Sequence, residues 1–104
     1  MALKWYRVYY RKDPDFMIDP NLTIEDIPNT HTLLLTIRAE DEEGAFGYMQ
    51  GEVWSPQGQA RELIEALQLK HTSMSVGDVV EDVRDGKFLQ VAGMGWNVLH
   101  RKGA

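Results

Sequence analysis

The chain has 104 residues, 43% of them hydrophobic and 26% charged, and a formal charge of −5. That composition fits one globular domain over residues 1–104, ordered over 3–100, and argues against a disordered chain. The lack of cysteine excludes a disulfide framework and a thiolate metal site.

The N-terminal Met1-Ala2-Leu3-Lys4-Trp5 lacks the apolar stretch of a secretory signal. The run Leu33-Leu34-Leu35 is far below the ~20 apolar residues of a membrane span. A soluble, cytoplasmic protein without a membrane partner is expected. Charge is uneven. Residues 1–12 hold Lys4, Arg7, Arg11 and Lys12 and no acid, whereas residues 19–52 set eight acids against Arg38 alone. An acidic chain neutralises phosphate poorly, so nucleic acid is a disfavoured partner.

Residues 3–10 read as a strand rich in β-formers. Period-2 sorting places Tyr6, Val8 and Tyr10 on one face and Trp5, Arg7, Tyr9 and Arg11 on the other. That second face reads either as a partly covered sheet surface with cross-strand aromatic pairs or as a platform on which bases stack between guanidinium groups. Residues 11–30 read as a long loop broken by Pro14, Pro20 and Pro28, with one short helical turn at Thr23–Ile27. Its apolar Phe16, Met17, Ile18, Leu22, Ile24 and Ile27 predict that it packs down.

Residues 31–38 form the clearest strand. Leu33, Leu35 and Ile37 share one face, and Thr32, Leu34 and Thr36 the other, which predicts a central strand. Residues 40–50 read as a helix with Asp41-Glu42-Glu43 at its positive end and a stripe of Ala45, Phe46 and Met49. Residues 56–68 read as a second helix, with Ser55 as N-cap, Pro56 in the first turn, and Ala60, Leu63, Ile64 and Leu67 on one face. Residues 78–100 read as three short strands, with Asp85-Gly86 as a hairpin turn and Gly93 and Gly95 in the next.

The expected fold is therefore α+β, of order β-β-α-α-β-β-β. It has a mostly antiparallel sheet, two helices on one face and a C-terminal three-stranded meander.

The segment from His71 to Asp78 is the most distinctive. Gly77 suits a turn and the Asp78 carboxylate suits backbone amides. His71, Thr72, Ser73 and Ser75 either satisfy loop backbone groups or line a site. A catalytic serine lacks the Gly-x-Ser-x-Gly elbow, and His31, His71 and His100 lack zinc-like spacing. Gly93-Met94-Gly95 is a fragment of a glycine-rich nucleotide fingerprint without the helix that should follow. Trp54, between the two helices, either packs a corner or meets a partner.

Three stretches together resemble a known family: Met49-Gln50-Gly51-Glu52-x-Trp54-Ser55, His71-Thr72-Ser73-Met74-Ser75-Val76-Gly77-Asp78-Val79, and Gly93-x-Gly95-Trp96-x-x-Leu99. They are similar to small bacterial, phage and plasmid proteins with YodL-like domains associated with mobile elements. The resemblance covers roughly residues 4–100. Trp96 departs from it, where phenylalanine is expected, as does Gly47. The resemblance implies accessory or interaction roles and carries over no catalytic residue.

The leading expectation is a non-enzymatic interaction or regulatory module that contacts another protein through Trp54, His71, Ser73, Ser75 and Asp78, without cofactor or metal. One alternative is nucleic-acid contact through Trp5, Arg7, Tyr9 and Arg11. Others are an acidic mimic that inhibits a nucleic-acid enzyme and a small hydrolase at His71.

Overall fold

The computed structural model describes residues 3–13, 21–50 and 59–103. The elements run β1 (Lys4–Arg11), a 3-10 turn (Ile24–Asp26) continuing into α1 (Ile27–Thr30), β2 (His31–Ala39), α2 (Glu42–Tyr48), α3 (Gln59–Ala66), β3 (Val79–Asp82), β4 (Lys87–Val91) and β5 (Trp96–Val98). The expected α+β order is present, and the helical turn predicted at Thr23–Ile27 extends to Thr30. All strand pairs are antiparallel, in the order β2-β1-β3-β4-β5, so the last three strands form the expected meander. Among the described residues no helix is long and apolar enough to cross a membrane.

The alternation of β1 explains the first layer. Tyr6, Val8 and Tyr10 are buried on one face, where Ala45 of α2, Met49 just beyond it, and Ala60 and Ile64 of α3 pack on them. Both longer helices thus cover one sheet face, because each has a single apolar stripe to remove from water. Asp41 starts α2 by accepting from the Gly44 amide at 2.8 Å. The predicted start of the second helix at Ser55 and Pro56 lies outside the described residues.

The meander follows from its turns. Asp85-Gly86 closes β3 to β4, with Gly86 at φ 74° and its amide donating to the Asp82 carbonyl at 2.8 Å. Gly95, also at φ 74°, accepts from the Ala92 amide before β5 begins.

The other sheet face has a smaller core. Leu22, Ile27, Val79, Phe88 and Leu99 are buried together, with Tyr9 and Ile24 packed on them. The loop after β1 therefore packs down through Leu22, Ile24 and Ile27, as its apolar content predicts; Phe16, Met17 and Ile18 lie outside the described residues. Thr23 donates from its amide and hydroxyl to the Asp26 carboxylate, at 2.9 and 3.0 Å, which pins the turn. These two bonds hold the Asp26 carboxyl below its usual range.

Two expectations about β2 are corrected. It is an edge strand, hydrogen-bonded to β1 alone. The interior position belongs to β3, whose Val79 and Val80 are fully buried on opposite faces. Apolar residues on both sides of a strand report cover above and below it, not neighbours on both edges. Leu33 also does not share a face with Leu35 and Ile37. Val8 pairs with Leu35 and Tyr9 with Leu33, so Leu34 is a bulge without a partner of its own. One extra residue in a period-2 strand turns everything before it to the opposite face. Leu33 consequently joins Tyr9 on the second face and is 46% exposed.

Candidate functional site

The His71–Asp78 loop converges on one carboxylate. Asp78 is 1% exposed. Its Oδ1 accepts from the Arg11 amide at 2.8 Å, and its Oδ2 accepts from the Ser75 amide and from His71 Nε2, each at 2.8 Å. The end of β1, the loop and an imidazole are thereby tied to the start of β3. The Asp78 amide donates back to the Ser75 carbonyl at 3.0 Å, closing a turn in which Gly77 has φ +96°. A Cβ on Gly77 would stand 2.5 Å from Arg11 Cδ, so both backbone shape and crowding demand glycine.

Tyr10 completes this network from the core side. Its ring stacks on His71 with centroids 4.5 Å apart and an 11° interplanar angle. Its hydroxyl donates to the Thr72 carbonyl at 2.8 Å. Burial pushes the Tyr10 phenol far up, with the Asp78 charge adding to it, so it remains a neutral donor. A carboxylate only accepts, so His71 Nε2 carries the hydrogen it donates. The other ring nitrogen, Nδ1, is buried without a hydrogen-bond partner among the described residues.

This arrangement satisfies backbone groups rather than preparing a nucleophile. The Ser75 hydroxyl donates to the Ser73 carbonyl at 3.1 Å, not to the imidazole. None of the described grooves is lined by His71 or Asp78. His31 approaches the same turn from the second face, with Nε2 2.7 Å from the Gly77 carbonyl and Nδ1 2.7 Å from the Thr30 hydroxyl. Burial lowers the His31 pKa, against the opposing pull of its Gly77 bond and of Asp78. His100 is exposed and shares no hydrogen bond with either among the described residues. Among the described residues no three His, Asp or Glu side chains group as metal ligands.

The second face carries the open surface. A groove of about 720 Å³ lies between the Ile24–Pro28 segment and the sheet, with Tyr9, Leu33 and Phe88 in its apolar lining and Glu25, Glu81 and Arg101 among its charged residues. These charges are matched within the chain. Glu81 accepts from the Tyr9 hydroxyl at 2.9 Å and from Arg7 at 3.3 Å. Glu25 pairs with Arg101 at 2.9 Å. Burial, then the Glu81 hydrogen bond, pushes the Tyr9 phenol up to about 12.

The basic aromatic face expected on β1 is only partly available. Arg7 is engaged by Glu81, and Arg11 lies against Gly77. Trp5, 50% exposed, instead has the Arg38 guanidinium 5.2 Å from its ring centroid. The acids of residues 40–43 are divided as well: Asp41 caps α2, and Glu43 accepts from the Trp96 indole at 2.8 Å.

Comparison with known proteins adds no relative: no family model, curated protein or solved structure matches the chain. Of the residues singled out in the sequence, His71, Ser73, Ser75 and Asp78 meet in one loop, while Trp54 lies outside the described residues. Leu33, Phe88 and Glu81 were not legible as surface-forming residues. Leu33 reaches the groove only through the bulge, and Glu81 meets Tyr9 across 72 positions of chain.

Proposed function

We propose that the protein is a non-enzymatic interaction module, regulatory in role, that receives an apolar segment of a protein partner in the second-face groove. The observation that carries this reading is Leu33, 46% exposed beside a groove of about 720 Å³ whose charges are already paired within the chain. An apolar concavity with a self-neutralised rim favours burial of a partner's apolar side chains over charge pairing. The groove takes the place of the His71–Asp78 loop as the contact surface, because the loop's central carboxylate is spent on backbone amides. The resemblance to YodL-like domains supports a setting in the cytoplasm of bacteria, in association with phages or plasmids.

The test uses the chain and its Leu33→Glu variant as baits in a native lysate, with bound proteins quantified. A partner recovered at least tenfold better on the unsubstituted chain, and retained at high salt, is expected. The reading fails when no protein distinguishes the two baits. Leu33 is half-exposed, so the substitution shifts stability by only about 0.5 kcal/mol, which thermal melts check.

A further inference from the structure

A second groove of about 670 Å³ opens at the β4–β5 end of the same face, with Asn21, Gln90, Asn97, His100 and Lys102 among its lining residues. Gln90 stands out. It pairs with Val79 on one side and Asn97 on the other, is 2% exposed, and still lines the groove. Among the described residues no hydrogen bond reaches its side-chain amide, whose atoms touch solvent through the groove. The amide therefore meets water at the floor of the groove, where it offers one donor and one acceptor side by side to whatever enters. Its free donor and acceptor point to a ligand entering from the groove.

The surroundings state the ligand's charge. From Gly86 to Ala104 the chain carries Lys87, Arg101 and Lys102 and no acid, although its net charge is −5. Glu25 is occupied by Arg101 and by the Lys102 amide. Asp26, tied to Thr23, feels the Lys102 charge but forms no ion pair with it among the described residues. The Lys102 ammonium and the exposed His100 ring therefore remain available to an anion at the mouth of a groove whose floor is an amide.

We propose that this groove binds a small organic anion that also carries a neutral donor–acceptor edge. Its phosphate or carboxylate would lie against Lys102 and His100, and its amide or base edge on Gln90 and Asn97. Asn and Gln amides match such edges because each presents one donor and one acceptor side by side. The site adjoins the apolar groove, with Arg101 on the border of both, but neither reading depends on the other.

Titrations of the full chain at low salt, followed by amide chemical shifts, test this with four probes. Adenosine monophosphate joins phosphate to a base edge, and N-acetylglutamine joins carboxylate to an amide; inorganic phosphate and adenosine are the separated halves. At least one composite probe should bind about tenfold tighter than either half, with shifts centred on Gln90 and Asn97. Gln90→Met, which keeps the volume and removes both hydrogen bonds, should weaken that probe about tenfold. Lys102→Gln should weaken it and flatten its salt dependence. Where Gln90→Met fails to fold, Asn97→Ala at an exposed position gives the same reading. Failure of both composite probes to bind overturns the proposal. So does phosphate binding as tightly as they do, or affinity indifferent to the amide substitution.

Discussion

On the helix-bearing face, Tyr6, Val8 and Tyr10 disappear beneath Ala45, Met49, Ala60 and Ile64. On the opposite face, the same strand leaves Trp5 and Arg7 in solvent and covers Tyr9 only in part. The first face is closed by two helices, each with an apolar stripe. The second is closed at one end by a turn, Leu22 and Leu99, and carries open grooves among the described residues. Burial on the first face serves stability. On the second, incomplete cover leaves concave surface with apolar and amide groups that folding does not use. The loop from His71 to Asp78 links the two, since His71 meets the core-facing Tyr10 ring while His31 reaches Gly77 from the other side.

That division can be broken most severely at the link. Asp78→Ala leaves the Arg11 and Ser75 amides and the His71 ring without their acceptor. It should cost about 3 kcal/mol or more in urea denaturation. A loss below about 1 kcal/mol would show that the loop does not hold the faces together. Gly77→Ala should cost about 2 kcal/mol, because φ +96° strains an alanine and its Cβ meets Arg11. Adding Arg11→Ala should restore part of that loss. Without any recovery, backbone strain alone explains it.

The pH response reports on the His31 side of the link. Folded His31 has its pKa lowered by burial from the ordinary value of 6.5. Below that pH the unfolded chain takes up the proton more readily than the folded one. Stability is therefore full above 6.5 and falls as pH drops toward the folded value, by at most about 1.4 kcal/mol per pH unit. Urea midpoints between pH 7.5 and 5 should show this slope, and His31→Gln should flatten it. An unchanged slope in that variant would assign the response to another group. The smallest effect is expected on the open face. Arg7 is 44% exposed, and Arg7→Ala should cost only about 0.5 kcal/mol by the same denaturation assay. A loss above 1.5 kcal/mol would mean that the Arg7–Glu81–Tyr9 group is structural.

Local patterns made much of the architecture legible. The alternation of β1 identified its buried face, and Asp85-Gly86 located the hairpin. Helix stripes at Ala45 and Met49, and at Ala60 and Ile64, located the layer above the sheet. The reading of β2 failed in its place in the sheet, because apolar residues on both faces do not report neighbours, and in the face of Leu33, because the bulge at Leu34 has no local signature in a run of three leucines. The loop was recognised as polar and unusual, yet its residues did not say which backbone amides Asp78 would accept from. Arg11 lies 67 positions away.

The sequence by itself determined the order of elements, the face of β1 that enters the core, and the gathering of polar side chains between His71 and Asp78, since these follow from periods and turn preferences a few residues long. Tertiary structure alone decided that β2 stands at the edge, that Leu33 turns outward, that Asp78 is buried among donors from distant segments, and that Gln90 lines a groove. Each of those outcomes depends on strand register and on contacts across the chain, which no local window of residues contains.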